Sequence, residues 1–190
     1  MSEENRSRRQ LLDTAAALFY KEGFRAVGVD TLAAESGVGK MTLYRHFPSK
    51  DDLIAAYLHE SDSGFWAWAE AALAEPAGRP REQLLSFFRA LAAQAAQPAC
   101  YGCPFLNAVV DFPEAGHPAH QIAQAHKQAV RERFGDLALQ AGAAAPAALA
   151  DQLYLLMDGA WMAVRVFGPR GPAGQVAAAA AALITAHLPG

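Results

Sequence analysis

The sequence predicts an all-α protein, and three observations carry that prediction. Alanine is abundant along the whole chain, Val and Ile are sparse, and no segment sustains the alternation of a half-buried strand. Apolar residues recur instead at spacings of three and four, with glycine and proline between the runs. Hydrophobic residues make up 53% of 190 positions and charged residues 18%, which suits a chain with a sizeable core. The predicted architecture is an N-terminal three-helix helix-turn-helix domain, residues 1–52, followed by a helical domain, residues 53–190.

The first helix is predicted over residues 6–22. Leu12, Ala16 and Phe19 line one face, with Leu11, Ala15 and Leu18 beside them. Gly23 ends it, and Phe24 folds back as an apolar plug. Two short helical patterns follow within Val29 to Lys50. In the first, Val29, Leu32 and Ala33 share a face, and Gly37 supplies the left-handed residue of a sharp turn. Val38 plugs that turn. The second runs from Lys40 to Phe47 and turns Leu43 and Phe47 inward, four residues apart. Lys40, Thr42, Arg45 and His46 then project outward, a face rich in donors and without a carboxylate. A helix, a glycine turn and a second helix at this spacing form a helix-turn-helix, whose second helix fits a DNA major groove. Any small helical domain can also contain a helix–glycine–helix, so the flanks matter.

Ser49 and Asp52 have the spacing of an N-cap and its partner, opening a helix that runs to about Leu73. A break or bend is predicted near Ser63-Gly64. Lys50 in its first turn opposes the helix dipole, which a nearby phosphate would explain. Pro76, Gly78 and Pro80 form a linker. Residues 81–97 form a helix with Leu84, Leu85, Phe88 and Leu91 inward. After a Cys- and Pro-containing turn, Pro104 suits the first position of a helix over Phe105 to Val110. Residues 119–141 carry a stripe of Ile122, His126, Val130, Phe134 and Leu137. Residues 146–167 carry Leu149, Leu153, Leu156, Met157, Ala160, Trp161 and Val164. GPRGPAG breaks the chain at 168–174, and a mostly alanine helix closes it over about 175–187.

Residues 1–50 hold eight Lys and Arg against six Asp and Glu, net +2, and the rest eight against thirteen, net −5. A mildly basic head on an acidic body orients on DNA head first. The segment SEENRSRRQ is polar, with no signal-peptide core. No run approaches the roughly 18 apolar residues of a membrane helix. Two cysteines make no secreted disulfide framework. A cytoplasmic protein without membrane partners is the expectation.

The stretch from about Arg9 to Tyr57 contains AALFYKEGF and then VDTLAAESGVGKMTLYRHFPSKDDLI. It resembles the amino-terminal DNA-binding domain of the TetR/AcrR family of bacterial transcriptional regulators. The remainder matches that family only in length and helical texture. The resemblance implies a regulator, most often a repressor, that binds a palindromic double-stranded operator as a homodimer. A small-molecule effector in the body would shift the connecting helix and spread the two heads. No cofactor, metal or enzymatic activity is implied. Carried over by position, Lys40, Met41 and Thr42 match residues that face base edges. Tyr44, His46 and Lys50 match phosphate-contacting positions. Thr31 is a phosphate donor candidate, and Arg45 is free to reach either.

Aromatic and Met residues are dense in residues 53–190, and most serve a core. Candidates for an effector pocket are Trp66, Phe88, Phe105, Asn107, His126, Tyr154, Met157, Asp158 and Trp161, an apolar set with sparse polar groups. His126 on an apolar stripe is more often a satisfied core histidine. Gly159, Ala160, Ala163 and Ala177 to Ala182 suit close helix approach. The alanine helix buries too little area to hold itself in a monomer, so packing against a second copy in a four-helix bundle is expected. Simple intramolecular packing is the alternative.

Cys100-Tyr-Gly-Cys103 leaves three readings open. The pair reads as ordinary thiols, as a thiol or electrophile sensor, or as half of a metal site with His117 and His120, although those histidines sit too close for a zinc pattern. The functional alternative to a DNA-binding regulator is therefore a redox protein using Cys100 and Cys103. No ordered Ser/His/Asp set or phosphate-cradling glycine loop supports an enzyme.

Overall fold

A computed structural model describes residues 3–188. Among the described residues the elements are α1 (Glu3–Glu22), α2 (Val29–Ser36), α3 (Lys40–His46), α4 (Lys50–Ala74), α5 (Pro80–Ala95), α6 (Pro104–Asp111), α7 (Pro118–Gln140), α8 (Pro146–Phe167) and α9 (Val176–His187), with a 3-10 turn over Pro172–Gln175 and no strand. The all-α prediction stands. Pro80, Pro104, Pro118 and Pro146 each open a helix, where a missing N–H leaves no bond unmade. The chain divides into two compact units, Met1–Ser63 with Pro104–Ala125, and Gly64–Cys103 with His126–Gly190.

The first unit is built around Phe24. Gly23, at φ +88°, ends α1 and donates its N–H to Phe19 O at 3.0 Å. Phe24 then turns inward and is fully buried. Its ring lies 5.3 Å from Phe19, 5.9 Å from Tyr57 and 5.8 Å from Phe112. These tilted contacts join α1, α4 and the end of α6 through one side chain.

The α2–α3 turn forms as the sequence predicts. Gly37 is left-handed, at φ 65° and ψ 12°. Leu32, Leu43, Phe47 and Val38 are buried, whereas Val29 and Ala33 are half-buried. Two polar contacts fix the turn. The Gln10 side chain donates to Ser36 O at 2.6 Å, and the buried Ser36 hydroxyl accepts from Val38 N–H at 3.3 Å. Ser49 caps α4 reciprocally with Asp52: Ser49 Oγ accepts from Asp52 N–H at 3.1 Å, and Asp52 Oδ2 accepts from Ser49 N–H at 2.9 Å.

Helix α4 runs unbroken through Ser63 and Gly64, which corrects the predicted break there. Within that helix the Ser63 hydroxyl donates back to His59 O at 3.1 Å.

In the second unit, α5, α8, α9 and the 3-10 turn pack together. Phe87 takes the inner place on α5 predicted for Leu85, which is half-buried; Leu84, Phe88 and Leu91 are buried as expected. Phe87 and Phe88 meet Phe134 of α7 at ring distances of 5.0 and 5.6 Å. The α8 stripe is buried apart from Leu156. Helix α9 lies against α5 and α8 of its own chain. Val176, Ala180 and Ile184 are buried, Arg81 donates to Thr185 Oγ1 at 3.4 Å, and His187 shares a 2.9 Å hydrogen bond with Gln152.

Two glycines have opposite fates. Gly37→Ala should cost about 1–2 kcal/mol because its φ is left-handed. Gly64 lies in a helix with nothing within 4 Å of an added Cβ, so Gly64→Ala should stabilise by about 0.8–1 kcal/mol. Urea denaturation of the two variants should move in opposite directions.

Candidate DNA-binding site

Helix α3 has seven residues, too few to persist alone in water. It is held from beneath by Leu43 and Phe47, and the Arg8 guanidinium lies 5.0 Å from the Phe47 ring centroid. Thr42 and Leu43 N–H both donate to Gly39 O, at 2.9 and 3.0 Å. The other face is open. Met41 is 86% exposed and Tyr44 44%, with Lys40, Arg45 and, on α2, Thr31 also exposed. An open groove lies between the start of α1 and the α2–α3 turn, lined by Glu4, Arg6, Ser7, Gln10, Gly37, Val38, Gly39, Thr42 and Arg45. It gathers two guanidinium groups, two hydroxyls, one carboxylate and backbone exposed by glycine.

The structure engages three of the sequence-predicted residues internally. Lys40 Nζ lies 2.6 Å from Asp30 Oδ1, and that hydrogen bond and charge hold its ammonium above the usual lysine range. His46 Nε2 shares a 3.0 Å hydrogen bond with Ser7 Oγ. Lys50 Nζ donates to Phe24 O at 2.6 Å. Burial draws the Lys50 pKa down, opposed by the Asp51 and Asp111 carboxylates. A lysine at the start of α4 therefore has an answer inside the fold, and no phosphate is needed to explain its position.

Sequence reasoning missed the groups that fix the α1–α2 connection. Asp111, at the end of α6, accepts from Phe24 N–H at 2.9 Å and Arg25 N–H at 3.3 Å through Oδ2, and its backbone carbonyl accepts from Arg25 Nε at 2.7 Å. Phe112 stacks on His117 with centroids 4.1 Å apart, and His117 Nε2 lies 3.5 Å from Asp51 Oδ2. His120 Nδ1 bonds to Phe112 O at 2.9 Å. No local pattern could have revealed a partner 87 residues away.

The pocket candidates fall into separate groups. Phe105 and Asn107 belong to the first unit and the other seven to the second. In the second unit His126 is buried against Phe65, with centroids 4.7 Å apart, and against Trp66 at 6.4 Å. Asp158 pairs with Lys127 at side-chain exposures of 16% and 12%. Burial pushes the Tyr154 phenol up, and its hydrogen bond to Asp158 adds to the shift. Phe88, Met157 and Trp161 are buried core side chains. A void beside Phe65, Trp66, Phe87 and Phe134 measures about 10 Å³, room for one water and no effector. Asn107 Nδ2 is buried with no hydrogen-bond partner.

Neither cysteine is in a disulfide and both are buried, 5% exposed at Cys100 and 7% at Cys103. His117 and His120 are engaged with Phe112 and Asp51, and no three His, Cys, Asp or Glu side chains among the described residues group to hold a metal. The thiol-redox reading is not favoured.

A buried scaffold that presents a short, donor-rich helix on a glycine turn defines a helix-turn-helix transcriptional regulator. Residues 11–57 match the model of the bacterial regulatory proteins of the tetR family. A crystal structure of a TetR-family transcriptional regulator from Streptomyces coelicolor is similar at 35% identity and TM-score 0.86, covering 96% of this chain and 94% of that one. A putative TetR regulator from Streptomyces avermitilis is similar at 34% identity and TM-score 0.84, covering 95% and 97%. The transcriptional repressor KstR2 of Mycobacterium tuberculosis is 27% identical over 88% of this chain and 84% of its own. The chain belongs to the TetR family of DNA-binding transcriptional regulators. No helix among the described residues is long and apolar enough to cross a membrane.

Asp111→Ala should leave the Phe24 and Arg25 amides without their acceptor. A loss of about 1–3 kcal/mol is expected in urea denaturation, with faster exchange of the Phe24 amide.

Proposed function

We propose that the protein is a homodimeric repressor that reads a palindromic operator through α3 and is released from it by a small-molecule effector, rather than an enzyme. The observation that carries this reading is the division of α3 into a buried side, Leu43 with Phe47, and an exposed side, Lys40, Met41, Tyr44 and Arg45. Met41 and Thr42 face base edges with Lys40, while Tyr44 and Thr31 meet phosphates. His46 and Lys50 act at the backbone with the donors their internal bonds leave. In function, residues 1–52 form the head and 53–190 the effector-binding and dimerisation body.

Dimerisation is supported by α8 and α9. Leu155, Val166 and Phe167 are exposed at 67%, 63% and 65%, beside an open apolar groove lined by Gly159, Ala160, Ala163, Ala173 and Ala179. Small residues there let a second backbone approach closely, and two heads about 34–36 Å apart then read two half-sites. Repression is favoured by the extent of the matches. The repressor KstR2 aligns over 88% of this chain, the activator FasR of Mycolicibacterium smegmatis over only 27%. Within the second unit His126, Tyr154 and Asp158 supply the polar groups for an effector, with Trp66 among the apolar ones.

Selection from random duplexes by the purified protein tests the reading, and recovery of a palindrome is expected. Failure to bind DNA even at low salt would overturn it. Tyr44→Phe should weaken binding to all sequences alike. Lys40→Ala should change the selected base at one position of each half-site, at about 1–3 kcal/mol of discrimination. Val166→Glu with Phe167→Glu should give a monomer in sedimentation equilibrium and lower DNA affinity, with the head still folded.

A further inference from the structure

We propose that Asp30 is a specificity-determining residue, which holds the Lys40 ammonium for a base edge and withholds it from phosphates. The inference rests on α3 being the reading helix, as proposed above. Asp30 lies in the first turn of α2, and its carboxylate is 2.6 Å from Lys40 Nζ at the first residue of α3. The two side chains are 84% and 50% exposed, so the pair stands on the surface that α3 shares with Thr31, Met41 and Tyr44.

A carboxylate on a face meant for phosphates is costly by simple charge, because it repels the backbone and cancels one of the cations that attract it. A DNA-reading face gains from it only if orientation matters more than attraction. A lysine stem is flexible, and an unrestrained ammonium is drawn to whichever phosphate is nearest. Phosphate contacts raise affinity for every sequence and discriminate none, whereas base-edge contacts discriminate. With one ammonium proton given to Asp30, two remain to donate. A guanine offers two acceptors, O6 and N7, in the major groove. Asp30 has a second effect on the same face. Neutralising Lys40 lowers attraction to nonspecific duplex, and the ratio of specific to nonspecific binding is the quantity a regulator needs in a genome. Asp30 also sits where a carboxylate favours the α2 dipole, a purely structural role that the test must separate.

The test uses the full-length wild-type protein with Asp30→Asn, Asp30→Glu and Lys40→Ala. Each is put through selection from a pool of random-sequence duplexes and titrated against poly(dI-dC) across a range of salt. Asp30→Asn is expected to bind poly(dI-dC) about three- to tenfold more tightly at low salt, with a salt slope steeper by about 0.9, the release from one further phosphate. It should lose base preference at the position of each half-site that Lys40→Ala also loses, and Asp30→Glu should retain it. Thermal melting serves as the control, since a structural role predicts a lower melting temperature with an unchanged motif. A uniform gain in affinity with the motif intact would make Asp30 a repulsive charge only and overturn the proposal, as would an unchanged motif in Lys40→Ala. If the wild type itself enriches no sequence, the reading helix is misassigned and both conclusions fall together, a result distinct from the others.

Discussion

Phe24 is the point on which the first unit depends. Its ring is fully buried among Phe19, Tyr57 and Phe112, and its backbone is occupied on both sides. The N–H goes to Asp111 and the carbonyl to Lys50. Buried backbone groups need partners, and here side chains from two other helices supply them because the residue lies between helices. One residue thereby fixes the entry to α2, the first turn of α4 and the end of α6. The α2–α3 turn is set from the other end, by Gln10 on Ser36. Helix α3 rests on these two fixed points and contributes little of its own stability.

Much of the fold was legible in the sequence because its determinants are local. Gly23 and Gly37 mark their turns through positive φ, Ser49 and Asp52 mark a cap three residues apart, and Pro104 marks a helix start. The buried sides of α3 and α8 followed from spacing. The corrections have different causes. Whether Leu85 or Phe87 faces inward is set by ring contacts with Phe134, far away in the sequence, whereas α4 runs on through Gly64 with a local Ser63–His59 bond. The candidate site divided in the same way. Of the outward residues read from periodicity, Lys40 and Arg45 are exposed and Thr42 and His46 half-buried, and the bonds of Lys40, His46 and Lys50 to Asp30, Ser7 and Phe24 were not legible.

The second unit separates two kinds of polar group. Arg131 and Asp151 are exposed and hold each other's charge, lowering the Asp151 pKa through their hydrogen bond. Such pairs contribute little to stability in water. Lys127, Asp158 and Tyr154 are different, a mutually bonded set on α7 and α8 with the ion pair shielded from solvent. Removing one member of a shielded pair leaves its partner uncompensated, so this set constrains the two helices more than its size suggests.

The discontinuous make-up of the first unit bears on how the protein can be taken apart. Its two segments are Met1–Ser63 and Pro104–Ala125, with forty residues between them assigned elsewhere. A fragment ending at Ser63 would cut α4 in mid-helix and discard Asp111, Phe112 and the acceptors of the Phe24 and Arg25 amides. The amino-terminal segment is therefore not an interchangeable cassette. A chimaera that grafts it onto a foreign body must bring residues 104–125 with it, or rebuild the same cap from the recipient.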